Sequence, residues 1–312
     1  MEIRNYAEGD EYKILELFNL VFNRKLPVEN WNWRYKENPF GKLSNSLLWE
    51  GSTLIGHVAV VPLPIKVGLQ SSIGAFAVKV MIHPDFTGRK LFNYLASNFF
   101  SELEINRKFS SLFAFPNSNS HYIFINNLKW KDIGILSTLR LKTEVLKKKG
   151  VSASFLELMT FDSATLELFD KQVSAVRVDK SSEYLNWRYI QKPNAKYRMF
   201  KSISDIGVNF IICSVYYQKD GQVILNLVET IVEDSDAFND LLVYAVSQYE
   251  VKIDEITLWK TPYNSRYGCF ERLNFKPDAP ITYFIGKSIE IAPEDLYPIS
   301  SWDISMGDSD VF

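Results

Sequence analysis

The residues best suited to chemistry sit in one stretch, Val80-Met81-Ile82-His83-Pro84-Asp85-Phe86-Thr87-Gly88-Arg89-Lys90-Leu91-Phe92. A strand-like apolar run ends at His83-Pro84, a tight turn follows at Thr87-Gly88, and a helical pattern begins near Arg89. A helix N-terminus leaves backbone N–H groups unpaired and carries a partial positive charge, which suits an anion. Gly88 lets the backbone come close to a ligand, and Arg89 and Lys90 add charge at the same mouth. The same residues also fit a plain strand–turn–helix corner with exposed basic side chains. This segment alone leaves both readings open.

The elements around this loop occur twice. Asn32-Trp33-Arg34-Tyr35 with Pro39 returns as Asn186-Trp187-Arg188-Tyr189 with Pro193. Asn119-Ser120-x-Tyr122 before Leu128-x-Trp130 returns as Asn264-Ser265-x-Tyr267 before Leu273-x-Phe275. Two markers in one order at nearly one offset imply a duplicated unit of roughly 150 residues, the size of an ordinary domain. Arg between aromatics can recognise a phosphate or carboxylate, but its presence in both copies favours a structural arginine that ties a short helix to the sheet.

In the first copy, Ile14, Leu17, Phe18, Val21 and Phe22 recur at helical spacing over 10–23, with Asp10 as the expected cap. A short helix carries Trp31 to Tyr35. Strands are expected over 46–50, 54–61, 65–68 and 72–83, a helix over 89–104, a strand over 110–115, a helix over 118–128 and a strand over 138–143. Lys147-Lys148-Lys149-Gly150 reads as a solvated linker. The second copy repeats the plan. It has helices near 163–173 and 181–190, strands near 195–202, 207–217 and 222–232, and a hairpin turn at Asp220-Gly221. A helix near 236–249, a strand at 254–260, a helix at 264–273 and a strand at 281–286 complete it. The expected architecture is mixed α/β in two domains, 1–145 and 151–290, followed by an irregular acidic tail, 291–312.

Composition narrows the function classes. The 312 residues are 46% hydrophobic and 23% charged, as in soluble globular proteins with sizeable cores. A formal net charge of −2 argues against a nucleic-acid coat. Aromatic residues make up 14%, which fits packing between two domains better than aromatic-lined pockets. Cys213 and Cys269 sit in no metal-ligand spacing, and with three histidines no zinc site is expected. Two free thiols fit a reducing cytosol. The start lacks the apolar stretch of a signal peptide, and no apolar run approaches the roughly 18 residues that span a membrane. The expected location is cytoplasmic.

Strand-bulge-strand, His-Pro, a Gly turn, a helix, a strand and then Asn-Ser-x-Tyr ending in Leu-x-Trp together resemble the GNAT superfamily of acyl-CoA-dependent N-acyltransferases. The resemblance covers most of 1–143, and the whole chain is similar to tandem-GNAT proteins. It implies that Val80, Met81 and Ile82 pair with the pantetheine arm of an acyl-CoA, acetyl-CoA above all. It also implies that Thr87, Gly88, Arg89, Lys90, Leu91 and Phe92 cradle the pyrophosphate. Three positions depart from the family's pattern: Thr87 stands for Arg or Gln, Lys90 for Gly, and Phe92 for Gly or Ala. The corresponding second-copy stretch, Val232-Glu233-Asp234-Ser235-Asp236-Ala237-Phe238, has no glycine and three carboxylates, so no coenzyme A is expected there.

Acyl transfer to an amine needs a neutral nucleophile, a polarised carbonyl and a proton for the departing thiolate. The resemblance implies that a backbone N–H on the splayed central strand polarises the carbonyl and makes Tyr122 the acid, although Tyr267 at the matching place in the second copy favours packing for this residue type. Asn117 and Asn119 either meet the pantetheine amides or cap the helix after them. His83 titrates near neutrality and is the first choice for a base, against a structural His-Pro corner. His57 reads as a buried, hydrogen-bonded histidine and His121 as exposed. The tail offers Asp308, Asp310 and the end of the chain at Phe312. Either it folds back to present a carboxylate such as Asp310 to an ammonium acceptor, or it is disordered. A water relay without a dedicated base is also open. The expected activity is transfer of an acyl group, acetyl by the family pattern, to a primary amine of a small molecule, for instance an amino sugar or sugar nucleotide. Two alternatives stand beside it: a peptidyl or aminoacyl transferase of the peptidoglycan cross-bridge type, which the charge disfavours, and a non-catalytic acyl-CoA sensor or scaffold.

Overall fold

Apolar runs rich in β-branched residues form the strands of this chain, and a computed structural model describes residues 1–171 and 176–312. Along the chain the elements are β1 (Glu2–Arg4), α1 (Asp10–Phe22), α2 (Val28–Tyr35), β2 (Ser44–Glu50), β3 (Thr53–Val67), β4 (Gln70–Ile82), α3 (Leu91–Ile105), β5 (Ser111–Ala114), α4 (Ser118–Asn126) and β6 (Lys131–Lys142). Then come β7 (Ala153–Leu158), α5 (Ser163–Asp170), β8 (Val176–Val178), α6 (Ser182–Leu185), β9 (Arg198–Ser204), β10 (Val208–Tyr217) and β11 (Val223–Ile231). The last are α7 (Ser235–Ser247), β12 (Glu255–Trp259), α8 (Tyr267–Arg272), β13 (Lys276–Ser288), α9 (Pro293–Leu296) and β14 (Trp302–Asp303). The architecture is mixed α/β, as expected.

The chain forms two compact units. The first comprises Met1–Gly134, Gln191–Asn194 and Tyr283–Pro298, and the second Ile135–Ile190, Ala195–Thr282 and Ile299–Phe312. In the first unit β1, β2, β3 and β4 pair antiparallel in turn, β4 pairs parallel with β5, and β5 pairs antiparallel with Ile285–Ser288 of β13. In the second unit β7, β9, β10 and β11 pair antiparallel in turn, β11 pairs parallel with β12, and β12 pairs antiparallel with β6. The strand order around the parallel pair is therefore the same in both. The antiparallel strand beyond that pair comes from the other half of the sequence each time. This differs from a boundary between 145 and 151, because Tyr283–Pro298 belongs to the first unit and Ile135–Lys142 to the second. Edge-strand pairing, not sequence proximity, decides where a final strand goes.

In the first unit, Leu91, Leu95, Phe99 and Phe100 of α3 pack with Leu48, Ile55 and Val58 of the sheet and with Phe124 and Trp130. In the second, Phe238, Leu241 and Leu242 of α7 pack with Phe200, Ile211, Leu225 and Phe270. Each core thus joins one amphipathic helix to one sheet face. Ile14, Leu17 and Phe18 form the buried stripe of α1. Its cap is Gly9 and not Asp10, whose carboxylate instead takes two hydrogen bonds from Arg4, at 2.6 and 2.8 Å.

The expected strands 54–61 and 65–68 are one long strand, because Pro62 and Pro64 of β3 pair with Ala75 and Ile73 without interrupting the ladder. The strand read over 138–143 starts seven residues earlier in β6. The helix read near 163–173 ends at Asp170, and its last expected residues lie outside the described set. The linker Lys147–Gly150 has exposed side chains, but its backbone is pinned: the Asp240 carboxylate accepts from the N–H groups of Lys149, Gly150 and Val151.

The tail corrects the expectation of irregular structure. Trp302 and Asp303 pair parallel with Val176 and Arg177, and Trp302, Ile304 and Met306 are buried. Asp308 is 2% exposed and forms an ion pair with Lys180, which also binds Glu229 at 2.5 Å. Arg188 donates to the carbonyls of Gly307 (3.0 Å), Ser309 (3.2 Å) and Phe312 (2.7 Å). The second-copy arginine therefore holds the tail and not the sheet, while Arg34 lies 5.8 Å from the Trp33 ring centre. A peptide with several free carbonyls offers a fixed guanidinium more acceptors than a saturated sheet does.

Candidate functional site

All cradle residues lie in the first unit. β4 and β5 are in parallel register at Ala75–Leu112 and Phe76–Phe113; among the described residues the ladder stops there, while β4 runs on to Ile82. β5 itself ends at Ala114, so Val80 to Ile82 have no β5 residue in register beside them. Met81 is buried, and Val80 and Ile82 pack half-buried against the core. One edge of this stretch is available to an extended ligand in the way that a sheet edge accepts a strand.

After β4 a short turn over Pro84–Phe86 leads to Thr87, whose hydroxyl donates to the Pro84 carbonyl at 2.8 Å. Gly88 takes φ +76°, and a Cβ built there would meet nothing within 4 Å. Lys90 takes φ +61° directly before α3, which starts at Leu91, later than the Arg89 expected from the pattern. The family's usual glycine at Lys90 is thus replaced by a residue that keeps a glycine-like backbone, at a cost on the order of 1 kcal/mol. Phe92 turns its ring into the core, 6.2 Å from Phe124, so its bulk leaves the mouth. No side chain caps α3. Its first-turn N–H groups face the loop with Arg89 and Lys90, both exposed. Arg89 itself lies over Phe86, 4.8 Å from the ring centre.

The matching corner of the second unit is filled. The Asp234 side chain accepts from the N–H groups of Asp236 (3.0 Å) and Ala237 (3.3 Å) and so occupies the N-terminus of α7. Glu233 accepts from Val208 N–H at 2.7 Å. The carboxylates do more than repel an anion, because they take the donors that one would need.

The expected proton carriers scatter. Tyr122, on α4, is 65% exposed. The Asn117 side chain caps α4 by accepting from Ser120 N–H at 2.9 Å, while Asn119 is exposed in the first turn. His83 Nδ1 accepts from Asp85 N–H at 3.2 Å, and its ring meets Phe86 edge-on at 5.5 Å. In the neutral ring the proton is then on Nε2, so neither nitrogen can take another without breaking that cap. That contact would have to break for His83 to act as a base. Asp310 belongs to the second unit, half-buried at the end of the docked tail. Among the described residues no group of three or more His, Cys, Asp or Glu could hold a metal, and no helix is long and apolar enough to cross a membrane.

Residues 2–122 fit the family model of the acetyltransferase (GNAT) domain. That stretch holds the glycine turn and the uncapped helix and is similar to a GNAT domain. No curated protein matches it. Its fold is similar to that of a GCN5-related N-acetyltransferase from Anabaena variabilis ATCC 29413, with TM-score 0.71 and 11% identity over 95% of this chain and 75% of the other. A conserved protein of unknown function from Enterococcus faecalis V583 gives TM-score 0.70 and 13% identity over 93% and 72%. A GCN5-related N-acetyltransferase from Kribbella flavida gives 0.63 and 12% over 95% and 73%. At these identities the likeness concerns the fold.

Sequence reasoning read His57 as a buried, hydrogen-bonded histidine but missed its partner, the Lys79 carbonyl at a bulge of β4. A histidine inside an apolar strand carries no signal of which backbone group it meets.

Proposed function

We propose that the first unit transfers an acyl group, acetyl in particular, from an acyl-CoA to the primary amine of a small molecule. The observation that carries this reading is the contrast between the two corners: α3 presents an uncapped N-terminus after a β4 end that β5 does not pair, and α7 is closed by Asp234. Bound there, an acyl-CoA would supply an activated thioester. The open edge of Val80 to Ile82 would hold the linear arm, and Gly88 to Lys90 with the first turn of α3 would hold the phosphates. Asn117 keeps its amide N–H groups for the arm, because only its oxygen is used in capping. Tyr122, exposed on α4, is the residue assigned to return a proton to the departing sulfur. Deprotonation of the acceptor is assigned to water and not to His83, whose Nδ1 already accepts from the Asp85 N–H. The second unit binds no coenzyme A in this reading, and duplication explains the strand order that the units share. An amino sugar or sugar nucleotide is the acceptor class to screen first.

Calorimetric titration of acetyl-CoA tests the reading, with Gly88→Glu as the comparison. Micromolar binding that the variant weakens at least tenfold is expected, since a carboxylate at the mouth opposes the phosphates. Absence of binding by the parent protein overturns the assignment.

A further inference from the structure

β3 and β4 pair at His57–Met81 and again at Ala59–Val78. Val58 therefore faces two residues, Lys79 and Val80, which is the geometry of a β-bulge. Lys79 takes φ +52°. For a residue with a side chain that backbone is strained and persists only where its surroundings hold it. The bulge lies past the point where β5 leaves β4, and directly before the stretch assigned to the acyl-CoA arm.

His57 enforces it. Its ring is 1% exposed, and Nδ1 lies 2.7 Å from the Lys79 carbonyl oxygen. A carbonyl only accepts, so Nδ1 carries the proton. Nε2 is then a buried acceptor, and it has no hydrogen-bond partner. Leaving a buried acceptor so is unfavourable, and an aliphatic side chain in the same space would avoid it. Burial also pushes the imidazole down to about 4, so the ring stays neutral at physiological pH. A carbonyl and the following N–H point opposite ways across a trans peptide. With the Lys79 carbonyl turned to His57, the Val80 N–H points away from it.

We propose that His57 is a positioning residue for acyl transfer, holding the Lys79 carbonyl so that the Val80 N–H is aimed at the edge of β4 that β5 leaves open. There the N–H can donate to an acyl carbonyl, where developing negative charge is best stabilised by a fixed dipole. This rests on the acyl-CoA reading above.

The test compares His57→Leu, which fills the space without a donor, with His57→Asn, whose amide can place an N–H near the position of Nδ1. Expected for His57→Leu is a kcat about 100-fold lower, the scale of one lost oxyanion donor, with acetyl-CoA affinity by calorimetry within about threefold. His57→Asn should recover most of the loss. In the parent, nitrogen NMR should show the Nδ1–H tautomer at pH 7, and acetyl-CoA should shift the Val80 amide proton downfield. The shift should vanish in His57→Leu. An unchanged kcat and Val80 shift in His57→Leu overturn the His57 proposal alone. So does equal loss in both variants, or an Nε2–H or doubly protonated ring in the parent, a result that stands even where His57→Leu fails to fold. Failure of the parent to bind acetyl-CoA overturns the underlying reading, and this proposal with it.

Discussion

At Lys90 the chain accepts a left-handed backbone that glycine would take at lower cost, and at Lys79 it does so again. Both positions flank the stretch assigned to the acyl donor. Strain held in place by surrounding contacts is a common mark of functional sites. Tyr122 tests the chemistry at the same scale. With 65% of its surface exposed, removing the hydroxyl disturbs little packing. Tyr122→Phe should lower kcat by about 100-fold, the lower range for a general acid, and leave acetyl-CoA affinity unchanged. Steady-state kinetics beside calorimetry decides this, and an unchanged kcat would make the residue a bystander. Tyr122, Gly88 and Arg89 could be picked out from the sequence because their spacing to a strand and a helix is local. The committed state of His83 could not, because it depends on one backbone N–H two residues away.

The two crossover helices differ in what closes their N-termini. α3 follows Lys90 without a side-chain cap, and α7 follows Asp234, which bonds two of its N–H groups. Removing that cap as Asp234→Ala should destabilise the protein by about 1 kcal/mol, the usual worth of an N-cap carboxylate. Urea denaturation would show it as a lower midpoint with an unchanged slope. Acetyl-CoA stoichiometry should stay at one per chain, because Glu233 still crowds the corner; a second binding event in the variant would contradict the reading of a closed second unit. The sequence showed charge at this corner and invited an argument from repulsion. The structure shows that the carboxylate acts through hydrogen bonds that it has already made.

The two units share one strand order, yet neither is built from one continuous half of the chain. Ile285–Ser288 completes the sheet beside β5, and β6 pairs with β12. Cutting the chain at the Lys147–Gly150 linker should therefore leave two fragments, 1–146 and 151–312, each without a strand that its core requires. Each fragment alone should show broadened amide spectra, and mixing or co-expression should restore dispersed ones. A fragment 1–146 that folds and binds acetyl-CoA by itself would refute this dependence.

The sequence by itself determined the mixed α/β class, the helix and strand periods, the repeated Trp-Arg-Tyr and Asn-Ser-x-Tyr markers and the glycine turn before a helix. Each of these is written within a few turns or strands, where side-chain period and backbone preference act locally. Only the tertiary structure decided that the tail 299–312 is docked by Lys180 and Arg188, that the final strands are exchanged, and that His57 meets the kink at Lys79. Those outcomes depend on pairing and burial between residues far apart in the chain. Their energies come from which partners remain unsatisfied once the sheets have formed, and no local spacing records that.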